Sequence, residues 1–141
     1  MLFRISYSIL LNEHDAEDAL QETFIRYMTK APIFRDSDHE KAWLIRVATN
    51  VSKNMARFRA HQSAHSEVEL KAIGIDEIDR GVFEAVTKLP VKYRTVLDLF
   101  YIEGYRADEI SSILSISPAA VRKRLQYGRT LLKKELERSG L

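Results

Sequence analysis

The sequence predicts an all-α protein of two small helical bundles joined by a flexible linker, the C-terminal bundle a helix-turn-helix, winged-helix-like but without a wing. Three observations carry this reading. Apolar residues recur at three- and four-residue spacing along most of the 141 residues, and no period-two alternation marks a strand. Periodicity is lost from His61 to about Ile75, where Ser, His, Glu and Gly accumulate. Ser117-Pro118 places a capping hydroxyl and a first-turn proline just after a short amphipathic segment, so a second helix starts after a tight turn. The predicted division is residues 1–61, a linker over 62–76 and residues 77–141. Each bundle is near the lower size limit for folding alone.

Residues 2–11 read as the end of an amphipathic helix with Phe3, Tyr7, Leu10 and Leu11 on one face. Asn12, with Asp15 three residues on, predicts a cap for a helix running to about Lys30. Ala16, Ala19, Leu20, Phe24 and Tyr27 or Met28 are expected inside, which leaves Glu17, Asp18, Gln21, Glu22 and Arg26 elsewhere. Ala31-Pro32 stops that helix, and residues 34–40 form a polar loop.

A long helix is expected from about Asp38 or His39 to Ala60, burying Trp43, Leu44, Val47, Ala48, Val51 and Met55. Its other face presents Arg46, Asn50, Lys53, Asn54, Arg57 and Arg59. Beyond the linker, a short helix from about Asp76 to Lys88 ends at Leu89-Pro90. Another runs from Pro90 through Tyr101, with Val96, Leu97, Phe100 and Tyr101 as core and Gly104 as its end. Ile110, Ile113 and Leu114 then give the first helix of the helix-turn-helix its apolar face, and the tail from Lys133 extends the last helix.

Composition bounds the chemistry. There are no cysteines, so disulfides, thiol catalysis and cysteine-based zinc sites are excluded. No glycine-rich phosphate loop and no nucleophile elbow occurs, so an enzyme is not expected, nor any cofactor. His14, Asp15, Glu17 and Asp18 are possible metal ligands, but near-consecutive helical residues point in different directions and the group reads as an acidic helix start. His61 and His65 have zinc-like spacing without further ligands nearby. No apolar run is long enough for a bilayer, and the apolar start carries Arg4 without a small-residue cleavage site, so a cytoplasmic protein with no membrane insertion of its own is expected.

The net charge of +2 says little, but its distribution is informative. Residues 81–141 hold eleven Lys/Arg against seven Asp/Glu, residues 63–80 hold two against five, and residues 41–66 contain no acid at all. In the last helix Val121, Leu125, Gly128 and Leu132 follow one stripe toward the preceding helices, leaving Arg122, Lys123, Gln126 and Tyr127 outward. Arginine forks onto guanine, glutamine onto adenine and lysine onto phosphate or guanine, so this face suits a DNA major groove. The Arg46 to Arg59 face, with its positive charge and two carboxamides, reads equally as a second nucleic-acid surface or as an exposed helix face beside a charged neighbour.

Four motifs in order extend this reading. They are Asp15-Ala16-Glu17-Asp18-Ala19-Leu20-Gln21-Glu22-Thr23-Phe24; Trp43-Leu44-Ile45-Arg46-Val47-Ala48-Thr49-Asn50; Leu89-Pro90 with Arg94 and Val96-Leu97; and Asp108-Glu109-Ile110 with Val121-Arg122-Lys123-Arg124-Leu125. Across nearly the whole chain this order resembles the extracytoplasmic-function sigma factors of bacterial RNA polymerase. The resemblance implies an alternative sigma factor that binds core RNA polymerase, directs it to promoter DNA and helps open it. Asp18, Gln21 and Glu22 are then the candidates for core-polymerase contact. Arg46, Asn50, Lys53, Asn54 and Arg57 are the candidates for the minus-ten element, with a base flipped into a pocket formed by residues 34–41 and Asn50. Arg122, Lys123, Gln126 and Tyr127 would read the minus-thirty-five element.

The resemblance further implies an anti-sigma factor, often membrane-anchored, that wedges between the bundles, and a linker that threads toward the polymerase active-site channel. Three departures stand out. The segment at residues 2–11 begins a turn or two later than in relatives, Ser115 stands where they have glycine, and Gln126-Tyr127-Gly128 replaces a more basic stretch. The competing reading is a free-standing helix-turn-helix regulator whose N-terminal bundle senses a ligand or dimerises.

Overall fold

The computed structural model describes residues 1–58 and 80–140, and these are helical throughout, with no strand among them. Among the described residues seven α-helices follow in order: α1 (Leu2–Leu10), α2 (Glu13–Lys30), α3 (Ser37–Phe58), α4 (Arg80–Thr87), α5 (Val91–Leu97), α6 (Ala107–Leu114) and α7 (Pro118–Arg138). A π-turn, Asp98–Ile102, continues α5. The expected linker and the His61/His65 pair lie outside the described residues.

Local chemistry sets the boundaries. Asn12 Oδ1 accepts the Asp15 amide at 2.9 Å and starts α2, and Ser117 Oγ accepts the Ala120 amide at 3.0 Å and starts α7 behind Pro118. Glu109 reaches back to accept the Arg106 amide at 2.9 Å at the head of α6. Ser115 ends α6 in the left-handed region, at φ +57°, where glycine would be unstrained. A hydroxyl-to-carbonyl hydrogen bond from Ser111 Oγ to Ile116 O, 2.5 Å, closes that turn.

Two faces differ from expectation. On α2, Ala16 and Ala19 are buried as expected, but Thr23 takes the next inward place and Phe24 and Met28 are exposed, Met28 by 75%. Thr23 fits there because its hydroxyl donates to Ala19 O at 2.7 Å, which leaves its methyl group for packing. In the α5 segment the π-turn rotates the register: Leu99 is fully buried, whereas Phe100 is half-buried and Tyr101 is 57% exposed. On α3 the buried set is Ile45, Ala48, Thr49, Val51 and Ser52, with Trp43, Leu44, Val47 and Met55 only half-buried.

The halves are docked rather than independent. Ile5 and Ile9 of α1 and Ile45 of α3 lie in the same apolar core as Leu89, Val96, Leu97, Leu99, Ile110, Ile113, Val121 and Leu125. Each half therefore buries apolar side chains of the other. Arginines fasten the seam. Arg4 forms a forked pair with Glu103, at 3.1 and 2.9 Å, and Arg94 donates from α5 to carbonyls of α1.

At Gly128 α7 lies close against α5. A Cβ there would lie 3.3 Å from a Leu97 methyl carbon and 3.5 Å from Tyr93 Cβ. Gly128→Leu is therefore expected to push the helices apart and cost about 1–3 kcal/mol, read from the urea unfolding midpoint.

Candidate nucleic-acid interface

The second helix of the helix-turn-helix is positioned from below. Val121, Leu125 and Gly128 are buried, so Arg122, Lys123, Gln126 and Tyr127 all project outward, as the stripe predicted. The Tyr127 ring leans on Tyr93, with centroids 5.2 Å apart, which fixes one end of the row. Arg129, one turn on, donates to the Tyr101 hydroxyl at 3.1 Å and is held away from it.

The α3 face is divided by the docking of the halves. Asn50, Asn54 and Arg57 are exposed, and Arg57 donates to Asn54 Oδ1 at 3.5 Å. Arg46 is turned to the seam, its Nε donating to Ile113 O at 2.9 Å and its terminal nitrogen to Ser112 O. These carbonyls end α6, where unpaired oxygens and the helix dipole favour a cation. Lys53 is half-buried, and burial, followed by Arg124 and Arg57, holds its ammonium below the usual lysine range. In this arrangement Arg46 and Lys53 are turned toward the opposite half, Asn50 and Asn54 face solvent, and Arg57 is exposed at the edge of the seam.

The loop before α3 is built on an aromatic cluster that the periodicity did not reveal. Phe34 lies nearly parallel to Tyr27, at 6.2 Å and 10°, and meets Trp43 and His39 edge-on at 5.8 and 5.3 Å. Tyr27 donates its hydroxyl to Glu40 at 2.7 Å, and that bond raises its pKa. His39 Nδ1 accepts the Arg35 amide at 3.1 Å, and Asp36 accepts the His39 amide at 2.8 Å. The signal in the sequence is four ring residues flanking Pro32, which helical periodicity divides between core and loop.

Asp18, Gln21 and Glu22 come together on α2 along a shallow depression of about 420 Å³, shared with Ile25, Arg26, Val51, Asn54 and Met55. Glu22 pairs with Arg26 at 3.1 Å. Beside them Phe24, Ile25, Met28 and Ile33 are exposed, Ile33 by 97%. Acidic and carboxamide groups bordering exposed apolar side chains have the composition of a protein-binding surface.

Comparison with known proteins finds a sigma-factor region in each half. The sequence model of Sigma-70 region 2 matches residues 1–62, and that of Sigma-70 region 4 matches residues 80–132. The chain is 29% identical to the ECF RNA polymerase sigma factor SigW of Bacillus subtilis, over 96% of this chain and 82% of that protein. Among solved structures it resembles the sigma factor RpoE of Bartonella quintana, solved with the anti-sigma factor NepR: TM-score 0.79, 18% identity, covering 96% of this chain and 89% of that one. CnrH, solved with the cytosolic domain of CnrY, gives a TM-score of 0.69 at 26% identity, covering 96% and 80%. The region 2 match accounts for the N-terminal half that the regulator reading left to sensing or dimerising. Two regions of one family, in order and carried on the helices where their motifs fall, show that the chain belongs to the Sigma-70 family as an extracytoplasmic-function sigma factor.

Proposed function

We infer that this chain is an alternative sigma factor that brings core RNA polymerase to promoters through residues 1–61 and 77–141, and that the docked arrangement is its resting form. The α2 surface around Asp18, Gln21 and Glu22, with its exposed apolar neighbours, meets the polymerase. Asn50, Asn54 and Arg57, with the loop buttressed by Phe34, take the minus-ten strand. Arg122, Lys123, Gln126 and Tyr127 take the minus-thirty-five duplex. The protein works in the cytoplasm, where its polymerase is, and no described helix is long and apolar enough to cross a membrane. A cytosolic anti-sigma segment is the expected partner of the docked form. RpoE was solved with the anti-sigma factor NepR and CnrH with the cytosolic domain of CnrY, and the match spans 96% of this chain in each case.

The observation that carries the resting-form reading is the position of Arg46. A residue of the minus-ten face donates to Ser112 O and Ile113 O of the half that reads minus-thirty-five, so DNA and the opposite half compete for it. Polymerase, by holding the halves at fixed spacing, supplies the effective concentration that makes two modest DNA patches act together.

Promoter assays with reconstituted holoenzyme test the residue roles. Arg122→Ala is expected to cost about 1–3 kcal/mol at one base pair of the minus-thirty-five element; a uniform loss on all sequences identifies a phosphate contact instead. Asn50→Ala should leave duplex binding intact and weaken permanganate reactivity at the minus-ten element. Normal reactivity in that variant removes Asn50 from the base pocket.

A further inference from the structure

Docking gathers cations that have no counter-ion. Lys53 and Arg57 of α3 and Lys92 of α5 line, with Ala56 and Val91, a cleft of about 350 Å³ at the seam between the halves, and the charge of Arg124 on α7 acts on Lys53. Among the described residues none of the four belongs to an ion pair. Arg57 touches only the Asn54 carboxamide, and Lys92 lies 5.1 Å from the Tyr93 ring centroid. The charged groups acting on Lys53 are both cations, and its ammonium is also desolvated. A half-buried, unpaired ammonium among like charges is costly, and a multiply charged anion removes that cost.

We propose that this seam cleft binds a small free polyphosphate-class anion, and that the bound anion holds the two halves docked. The cleft has the volume of a small-ligand pocket and is too small to admit a duplex. Its charged groups come from both halves, so it exists as a site only while they are docked. Binding therefore stabilises the docked form by mass action. The same groups also suit backbone phosphates of nucleic acid, and the test separates the two sources. The site stands on the docked geometry and does not depend on the promoter roles of α3 and α7.

The test uses the full chain carrying Thr29→Cys and Lys134→Cys. The chain has no cysteine of its own, so both positions can be dye-labelled without background. Tripolyphosphate is titrated against sodium chloride of equal ionic strength, with a short single-stranded oligonucleotide as the third arm. The expected result is a rise in Tm on the order of 5 °C with tripolyphosphate alone, while energy transfer between the dyes is kept.

Lys53→Gln with Arg124→Gln should raise Tm without the anion and weaken the anion response at least about tenfold, a pair of changes that a merely structural role does not produce. Arg57→Gln, at an exposed position, provides the same comparison if the double variant does not fold. An equal rise with chloride, a response from the oligonucleotide but not tripolyphosphate, or an unchanged response in the variants overturns the proposal.

Discussion

Arg94→Met is expected to lower stability by about 3–5 kcal/mol. Arg94 is only 7% exposed, and burial pulls its guanidinium down to about pKa 10, so it remains a cation at neutral pH. Its partners are four carbonyl oxygens. Nε donates to Ser8 O at 2.9 Å and one terminal nitrogen to Ile9 O at 2.9 Å, while the other donates to Leu89 O at 2.8 Å and Thr87 O at 3.2 Å. Ser8 and Ile9 end α1, and Thr87 ends α4, where carbonyls lack intrahelical partners. One planar fork thus terminates two helices from opposite halves. Methionine keeps the length of the side chain and leaves the oxygens unpaired. Arg94→Lys should recover only part of the loss, because an ammonium cannot span both helix ends. Urea unfolding of the three proteins measures this, and a loss below about 1 kcal/mol for Arg94→Met contradicts it.

The second large effect is a pH dependence centred on Asp98. Its side chain lies in the π-turn, 5% exposed, with Oδ2 accepting no hydrogen bond. Burial, reinforced by Glu103 and opposed by Arg4 and the N-terminus, pushes its pKa up to about 8. The unfolded carboxyl titrates near ~3.9. Between these values the folded chain holds a proton that the unfolded chain has released, so stability is full below the unfolded pKa and falls as pH rises. The slope is at most about 1.4 kcal/mol per pH unit, levelling off above pH 8. Asp98→Asn keeps the shape and removes the titration. Urea midpoints at pH 5, 6, 7 and 8 should show the wild type losing stability relative to this variant across the series. Parallel curves contradict the assignment of a neutral, buried Asp98.

What the sequence made legible follows from how local each cause is. The Asn12 and Ser117 caps, the turn between α6 and α7 and the outward row from Arg122 to Tyr127 all depend on residues a few positions apart, and all formed as expected. The inward face of α2 was misjudged because Phe24 and Met28 are apolar and Thr23 is not. Thr23, however, satisfies its own hydroxyl within the helix, and the two larger residues remain exposed on the surface that holds Asp18, Gln21 and Glu22. Arg94 and Arg46 were less legible still. Arg94 bonds to residues 85 and 86 positions away, and Arg46 to residues 66 and 67 positions away. No periodicity encodes such partners. Arg46 read as a member of a DNA face because the half that engages it is remote in sequence. The aromatic support under residues 34–41 was hidden for a related reason: Tyr27, Phe34, His39 and Trp43 come from two helices and the loop between them.

The most direct test of the resting-form account is run-off transcription with the halves tied together. Arg4→Cys and Glu103→Cys place the only two thiols of the chain on either side of the seam between the halves, at positions with no assigned DNA or polymerase contact, where a flexible, reducible linker can join them. Sigma-free core polymerase and a promoter pool that includes the chain's own upstream DNA complete the assay. The expected result is a defined transcript from the unlinked protein, none from the linked protein, and recovery of the transcript when the linker is cleaved. A transcript of equal yield with the linker intact would show that the docked halves already read a promoter, and the resting-form account would fail.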